Sequence, residues 1–160
     1  MNIELIEAYS HKEDVKYLFQ EYTEMLIEHD NNFKEYLNKQ CYDDELEHLE
    51  SKYGLPYGRL YLAICDNKIA GCIGLRKIDN ENCEMKRLYV KPEFRRKELG
   101  NILVKKIIED AKAIGYKHIL LDTFPFLEAA IKLYKKHGFY EIESYNDNPM
   151  NNLIYLRFDL

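Results

Sequence analysis

The chain opens with alternating apolar and polar residues over Ile3–Tyr9, the period of a strand with one buried face. Ser10 followed by Glu13 has the spacing of a capping box and predicts the start of a helix. Its apolar positions are Val15, Leu18, Phe19, Tyr22, Met25 and Leu26. Their steps of 3, 1, 3, 3 and 1 keep them on one helical face, and polar Glu28–Asn32 ends the helix. A second helical stretch runs from about Tyr42 to Lys52 and is stopped by Gly54 and Pro56.

The pattern then shortens to apolar runs between turn residues. Leu60–Cys65 and Ile69–Leu75 predict an antiparallel hairpin closed by Asp66-Asn67-Lys68. Asp79–Asn82 is a second turn, and Cys83–Val90 is a third strand of the same meander. From Leu99 to Ile114 the helical period returns in Leu99, Ile102, Leu103, Ile107, Ala111 and Ile114, with Gly115 placed for a left-handed cap. His118–Asp122 predicts a short buried strand. Pro125 suits the first turn of a helix that runs to His137 and ends at Gly138. Phe139–Tyr145 and Leu153–Phe158 are the last two strands. The order β-α-α-β-β-β-α-β-α-β-β predicts an α/β fold with a mixed sheet. No repeat, low-complexity tract or linker interrupts residues 1–160, so a single domain is expected.

The strand Cys83–Val90 breaks its own period. Met85, Leu88 and Val90 are separated by steps of 3 and then 2, which a regular strand cannot place on one face. One inserted residue near Lys86–Arg87, a β-bulge, restores the phase and frees backbone groups from the ladder. The alternative is that Leu88 and Tyr89 face different packed layers.

With 46% apolar and 32% charged residues the chain is excluded from the disordered class. No apolar run approaches the ~18 residues of a membrane helix. The start Met-Asn-Ile-Glu-Leu-Ile-Glu lacks the basic, then apolar, character of a secretion signal. A cytoplasmic protein with no membrane partner is expected. The net charge of −5 argues against a nucleic-acid partner. The charge is uneven, however. Residues 1–60 hold fourteen acids and six bases, whereas residues 84–117 hold five acids and ten bases. A local basic segment on an acidic chain points to a confined anion site. Cys41, Cys65, Cys72 and Cys83 form no Cys-x-x-Cys pair, and the last three fall in apolar runs as buried small hydrophobes. The five histidines have no ligand spacing, so no metal is expected.

The basic segment is Lys91-Pro92-Glu93-Phe94-Arg95-Arg96-Lys97-Glu98-Leu99-Gly100-Asn101, a loop that feeds a helix N-terminus. Unpaired backbone N–H groups and the positive end of the helix dipole meet Arg95, Arg96 and Lys97 there, which is the chemistry of a phosphate site. Gly100 allows close approach of the backbone to a ligand.

Over Cys83–Tyr145, 63 of the 160 residues, the sequence resembles the GNAT-type N-acetyltransferases. Glu84-Met85-Lys86-Arg87-Leu88-Tyr89-Val90 is similar to that family's bulged fourth strand. Arg95-Arg96-Lys97-Glu98-Leu99-Gly100 is similar to its pyrophosphate loop, and Ala130–Phe139 to its Ala-x-x-Leu-Tyr-x-x-x-Gly-Phe segment. There are two departures. Glu98 stands where the first loop glycine is usual, and Leu127 stands where an Asn often contacts the cofactor, seven residues before Tyr134.

The resemblance implies a GNAT-like, mostly antiparallel mixed sheet flanked by helices, with acetyl-CoA as cosubstrate. The backbone of Leu88, Tyr89 and Val90 would pair with the pantetheine arm as an added strand. Arg95, Arg96, Lys97, Glu98, Leu99, Gly100 and Asn101 would hold the pyrophosphate. A bulge-freed N–H near Leu88 would receive the developing oxyanion. Tyr134 is the candidate general acid for the departing thiolate. Glu84 is the candidate general base, with Asp122 as second choice. The acceptor pocket would be shaped by Tyr17–Lys52 and by Tyr145-Asn146-Asp147-Asn148-Pro149, and an acidic wall there favours a cationic amine or polyamine. The expected function is direct transfer of acetyl to a small-molecule amine in a ternary complex. A protein lysine or N-terminal acceptor, and a non-catalytic acyl-CoA-binding module, are the alternatives. A homodimer is compatible with the fold.

Overall fold

The computed structural model describes residues 1–35, 42–146 and 152–160. Cys41 and the Asp147-Asn148-Pro149 part of the expected acceptor loop lie outside them. The strands are β1 (Ile3–Glu7), β2 (Arg59–Cys65), β3 (Lys68–Lys77), β4 (Asn82–Val90), β5 (His118–Thr123), β6 (Tyr140–Ile142) and β7 (Ile154–Asp159). They form one sheet in the order β1-β2-β3-β4-β5-β7-β6. Every neighbouring pair is antiparallel except β4 with β5. The described helices are α1 (Lys12–His29), α2 (Tyr42–Glu47), α3 (Leu49–Tyr53), α4 (Leu99–Ile114) and α5 (Glu128–His137). None is long and apolar enough to cross a membrane.

The helices cover both faces of the sheet, and this explains the unbroken apolar runs of the central strands. On β2, Leu60 and Leu62 enter the core shared with α1–α3, whereas Tyr61 and Ala63 enter the core shared with α4. The first core is built on Leu18, Phe19, Leu49 and Tyr53, and the second on Ile73, Leu103, Ile107 and Leu121. Asp66 and Asn67 take left-handed backbone (φ 49° and 67°) at the predicted hairpin turn, which fits the twist of the paired strands. Gly115 and Gly138 supply the left-handed caps of α4 and α5 (φ 108° and 112°).

Three local expectations change. The capping box does not form: α1 begins at Lys12 behind His11, which makes no side-chain cap. The His11 N–H instead donates to the Ala8 carbonyl (2.9 Å), so the turn out of β1 moves the cap one residue past Ser10. The second helical stretch breaks at His48 (φ −130°, ψ 56°) into α2 and α3. Pro125 lies before α5 rather than in its first turn. It sits inside a turn closed by the Leu127 N–H on the Phe124 carbonyl (3.0 Å), where its fixed φ is equally suited.

The bulge in β4 is present. Cys72 stands opposite Tyr89 and Gly74 opposite Lys86, so two steps on β3 match three on β4. Arg87 within that interval has φ 61°. Met85, Leu88 and Val90 accordingly share the α4 core, while Tyr89 packs in the α1 core. Cys65, Cys72 and Cys83 are buried and free.

Candidate active site

The pairing of β4 with β5 stops early. Asn82, Cys83 and Glu84 are matched with His118, Ile119 and Leu120, and there the register ends. β5 continues to Thr123 in register with β7, while the bulged β4 stays with β3, so the two central strands part. A bulge bends its strand and raises the local twist, which gives the separation its cause. The cleft between them is walled by Met85, Lys86 and Leu88 of β4, Leu121 and Asp122 of β5, and Tyr134 of α5. Tyr22 and Phe33 close it from the side of α1.

Arg87 leaves the cleft and crosses into the layer of α1–α3. Its Nε and one terminal nitrogen donate to Glu45 of α2, both at 3.0 Å, and both side chains are at least 95% buried. Glu45 also accepts from Lys52 Nζ (2.7 Å) and from the Tyr53 hydroxyl (3.0 Å). Burial opposes the Glu45 charge, but Arg87 and Lys52 outweigh it and hold its carboxyl well below the usual range. This pair was not legible in the sequence, where Glu45 is one of several acids on an ordinary acidic helix. Much of that acidity is paired locally: Glu21 accepts from the Tyr89 hydroxyl (2.8 Å), and Glu47 from Lys16 (3.2 Å).

Glu84 is 3% exposed. It accepts from Arg76 Nε (2.7 Å) and from the Tyr145 hydroxyl (2.5 Å), and Lys86 Nζ stands 3.8 Å away. Burial pushes its carboxyl up, but Lys86, Arg76 and the Tyr145 hydrogen bond together bring it below its ordinary value. Asp122 shows the opposite balance. Burial raises it more than Lys86 lowers it, and it accepts a hydrogen bond from Asn146 Nδ2 (3.3 Å). Burial and the neighbouring Tyr22 and Asp122 drive the Tyr134 phenol far above its ordinary value. Burial, then Arg87, lowers the Lys86 ammonium to about 8.

The basic loop leads from the end of β4 to the N-terminus of α4. Arg95 Nε donates to the Val90 carbonyl (3.1 Å), and its guanidinium lies over the Tyr89 ring (5.9 Å). Arg95 and Arg96 are exposed and Lys97 is half-buried beside Phe94. Glu98 is the N-cap of α4 in left-handed backbone (φ 64°, ψ 12°). That conformation is the physical reason a glycine is usual there. Leu99 is a core residue. A Cβ on Gly100 would meet Leu133 of α5 at 3.0 Å, so the missing side chain accommodates a helix–helix contact. Asn101 Oδ1 is tied to His137 Nε2 (2.6 Å). Leu127 offers no side-chain cap to α5 and packs in the α1 core. The structure thus joins Tyr134, Leu88 and Asp122 around one cleft, with the loop residues beyond the end of β4. Among the described residues, no group of three or more His, Cys, Asp or Glu is placed to hold a metal ion.

The model of the acetyltransferase (GNAT) family matches residues 16–139. The chain belongs to the GNAT acetyltransferase family. A GNAT relative, an uncharacterized N-acetyltransferase of Schizosaccharomyces pombe, is 39% identical over 150 residues, covering 92% of this chain and 88% of the relative. A solved GNAT acetyltransferase of Staphylococcus aureus superposes with a TM-score of 0.76 at 25% identity, covering 99% of both chains. A GNAT acetyltransferase of Elizabethkingia anophelis with acetyl-CoA bound gives 0.58 at 27% identity, over 71% of this chain and 82% of that one. GNAT membership makes the protein an acetyl-CoA-dependent acyltransferase, and the mixed, mostly antiparallel sheet between helices is the GNAT fold.

Proposed function

We propose that the protein transfers the acetyl group of acetyl-CoA to the amine of a small molecule, by direct attack in a ternary complex. One observation carries this reading: pairing ends at Glu84–Leu120, and the uncovered side of β4 then runs past Asp122 and Tyr134. The cosubstrate supplies an activated acyl thioester. Leu88, Tyr89 and Val90 offer it a strand-like backbone. The N-terminus of α4, with Arg95, Arg96 and Lys97, offers donors and positive charge to its phosphates. That Glu98 already holds the left-handed turn favours a formed loop despite its side chain.

Tyr134 is the proton donor to the leaving thiolate. Burial keeps its phenol protonated throughout the working range, so the hydroxyl is there to hydrogen-bond the leaving sulfur. Because burial also makes it a weaker acid, the proton follows only as negative charge builds on that sulfur. Asp122 is the proton acceptor for the attacking amine. It lines the cleft, and burial keeps its carboxyl a better base than a solvated aspartate. Glu84, the first choice from sequence, is engaged by Arg76 and Tyr145 and held at low basicity, so it acts as a positioning residue.

Calorimetric titration with acetyl-CoA and CoA, followed by a thiol-release screen over amines and peptides, tests the proposal. Micromolar binding, intersecting two-substrate kinetics and turnover of small amines support it. Parallel kinetic lines, turnover of peptides alone, or binding without turnover overturn it.

A further inference from the structure

We infer that the acceptor carries an anionic group beside its amine, and that Lys86 receives that anion. The inference rests on the acetyltransferase reading and adds the class of acceptor.

Lys86 lines the cleft with a side chain only 9% exposed. An ammonium has three N–H donors. Among the described residues, this one donates no hydrogen bond. It forms an ion pair with Glu84, whose Oε1 is 3.8 Å away, beyond hydrogen-bond reach, and already accepts from Arg76 at 2.7 Å. Glu84 thus meets the charge of this buried ammonium as an ion pair but not its N–H donors, and buried donors left unused are costly unless a further acceptor meets them.

The surrounding charges point the same way. Arg76, Lys86, Arg87 and Lys52 stand against Glu84, Glu45 and Asp122, four cations to three carboxylates, and burial disfavours the charge on Asp122. The acid that the helices turn inward, Glu45, is held by Arg87 and Lys52. A cationic polyamine would therefore meet surplus positive charge. A zwitterionic or phosphorylated amine would meet a waiting donor.

The anion is not one of the cosubstrate's phosphates. Val90 lies four steps along β4 from Lys86, at most about 13 Å at about 3.3 Å per residue, and the basic loop lies beyond that end. Lys86 is thus at the end of the cleft where Tyr134 and Asp122 face the reacting groups, which leaves the acceptor as the source of the charge.

The test compares matched acceptors in the thiol-release assay: phenylalanine against phenylalaninamide and phenethylamine for a carboxylate, and glucosamine 6-phosphate against glucosamine for a phosphate. The expected result is an anionic member with kcat/KM about tenfold or more above its neutral partner, the worth of one charge-assisted contact. In Lys86→Met that advantage should collapse through the KM of the acceptor, with the KM of acetyl-CoA unchanged, and Lys86→Arg should restore part of it. In a second readout, millimolar acetate or phosphate added to the CoA-saturated protein should raise the Tm of wild type but not of Lys86→Met. Equal or better turnover of the neutral partners overturns the inference. So does an equal loss on both partners in Lys86→Met. Acetyl-CoA binding with neither anionic turnover nor the Lys86-dependent Tm shift overturns it as well. If acetyl-CoA itself does not bind, the reading beneath falls instead.

Discussion

Arg87, inside the β4 bulge, faces the carboxylate of Glu45 with two guanidinium nitrogens, each 3.0 Å from an oxygen. A helix far away in sequence thereby holds the backbone irregularity that separates β4 from β5. Removing one partner strands a buried charge, so Glu45→Ala should lose about 3–5 kcal/mol of stability in urea unfolding. The same variant should bind CoA more weakly, because the bulge loses its anchor. A stability loss below about 1 kcal/mol, the range of a surface pair, would show that the bulge stands without this tie.

Acid should release the same tie. Glu45 and Glu84 both have folded pKa values below their unfolded ones. Their contribution is therefore present above the unfolded value of about 4.3 and is lost as pH falls through the folded values. Tm should fall steeply below about pH 4 in wild type and less steeply in Glu45→Gln, as thermal melts across pH would record.

Tyr134→Phe should lower kcat by about a hundredfold, at the low end of general-acid effects, and leave the KM of acetyl-CoA nearly unchanged. No hydrogen bond of the Tyr134 hydroxyl is among those described, so Tm should hold. A variant with wild-type kcat would remove the tyrosine from the chemistry.

Asp122 and Glu84 separate in their pH profiles. A base must be deprotonated to act, so kcat/KM should rise with pH through the elevated pKa of Asp122. Asp122→Asn should lose that limb along with about a hundredfold in rate. Glu84→Gln should keep the limb and lower the rate through position alone. If Glu84→Gln abolishes the limb, the two assignments are reversed.

Glu98→Gly should strengthen CoA binding up to about fivefold, the worth of one exposed like charge. The left-handed backbone at Glu98 favours glycine by about 1–2 kcal/mol, whereas the carboxylate's place at the α4 N-terminus and the greater chain entropy of glycine act against the change. Unfolding stability should therefore stay within about 1 kcal/mol while calorimetry reads the affinity gain.

What the sequence made legible followed from periodicity. The broken step from Met85 to Leu88 located the bulge, because an odd insertion inverts alternation, and Gly115 and Gly138 marked two helix ends. Tyr134 and Leu88 could be nominated from motif position, and Asp122, as a second choice, from its place at the end of β5, and the three do share a cleft. The roles of Glu45 and Lys86 could not. Each looks like a surface charge in one dimension, and only packing across more than forty residues makes Glu45 the partner of Arg87. Lys86 carried a faint signal, a lysine inside a strand buried on both faces. The capping box at Ser10 failed for a related reason: the path of the chain out of β1, set by pairing with β2, moved the cap one residue on.

Unpaired strand edges invite other chains to add on, and proteins blunt them. The outer strands of this sheet are short, five residues in β1 and three in β6. The uncovered part of β4 is different, because it lies mid-sheet between β3 and the departing β5. A neighbouring protein strand would have to enter a slot walled by Leu121, Asp122 and Tyr134, whereas a slender thioester arm needs no such width. The backbone that the proposed chemistry would use is therefore exposed inside a walled cleft and not along a free edge of the sheet.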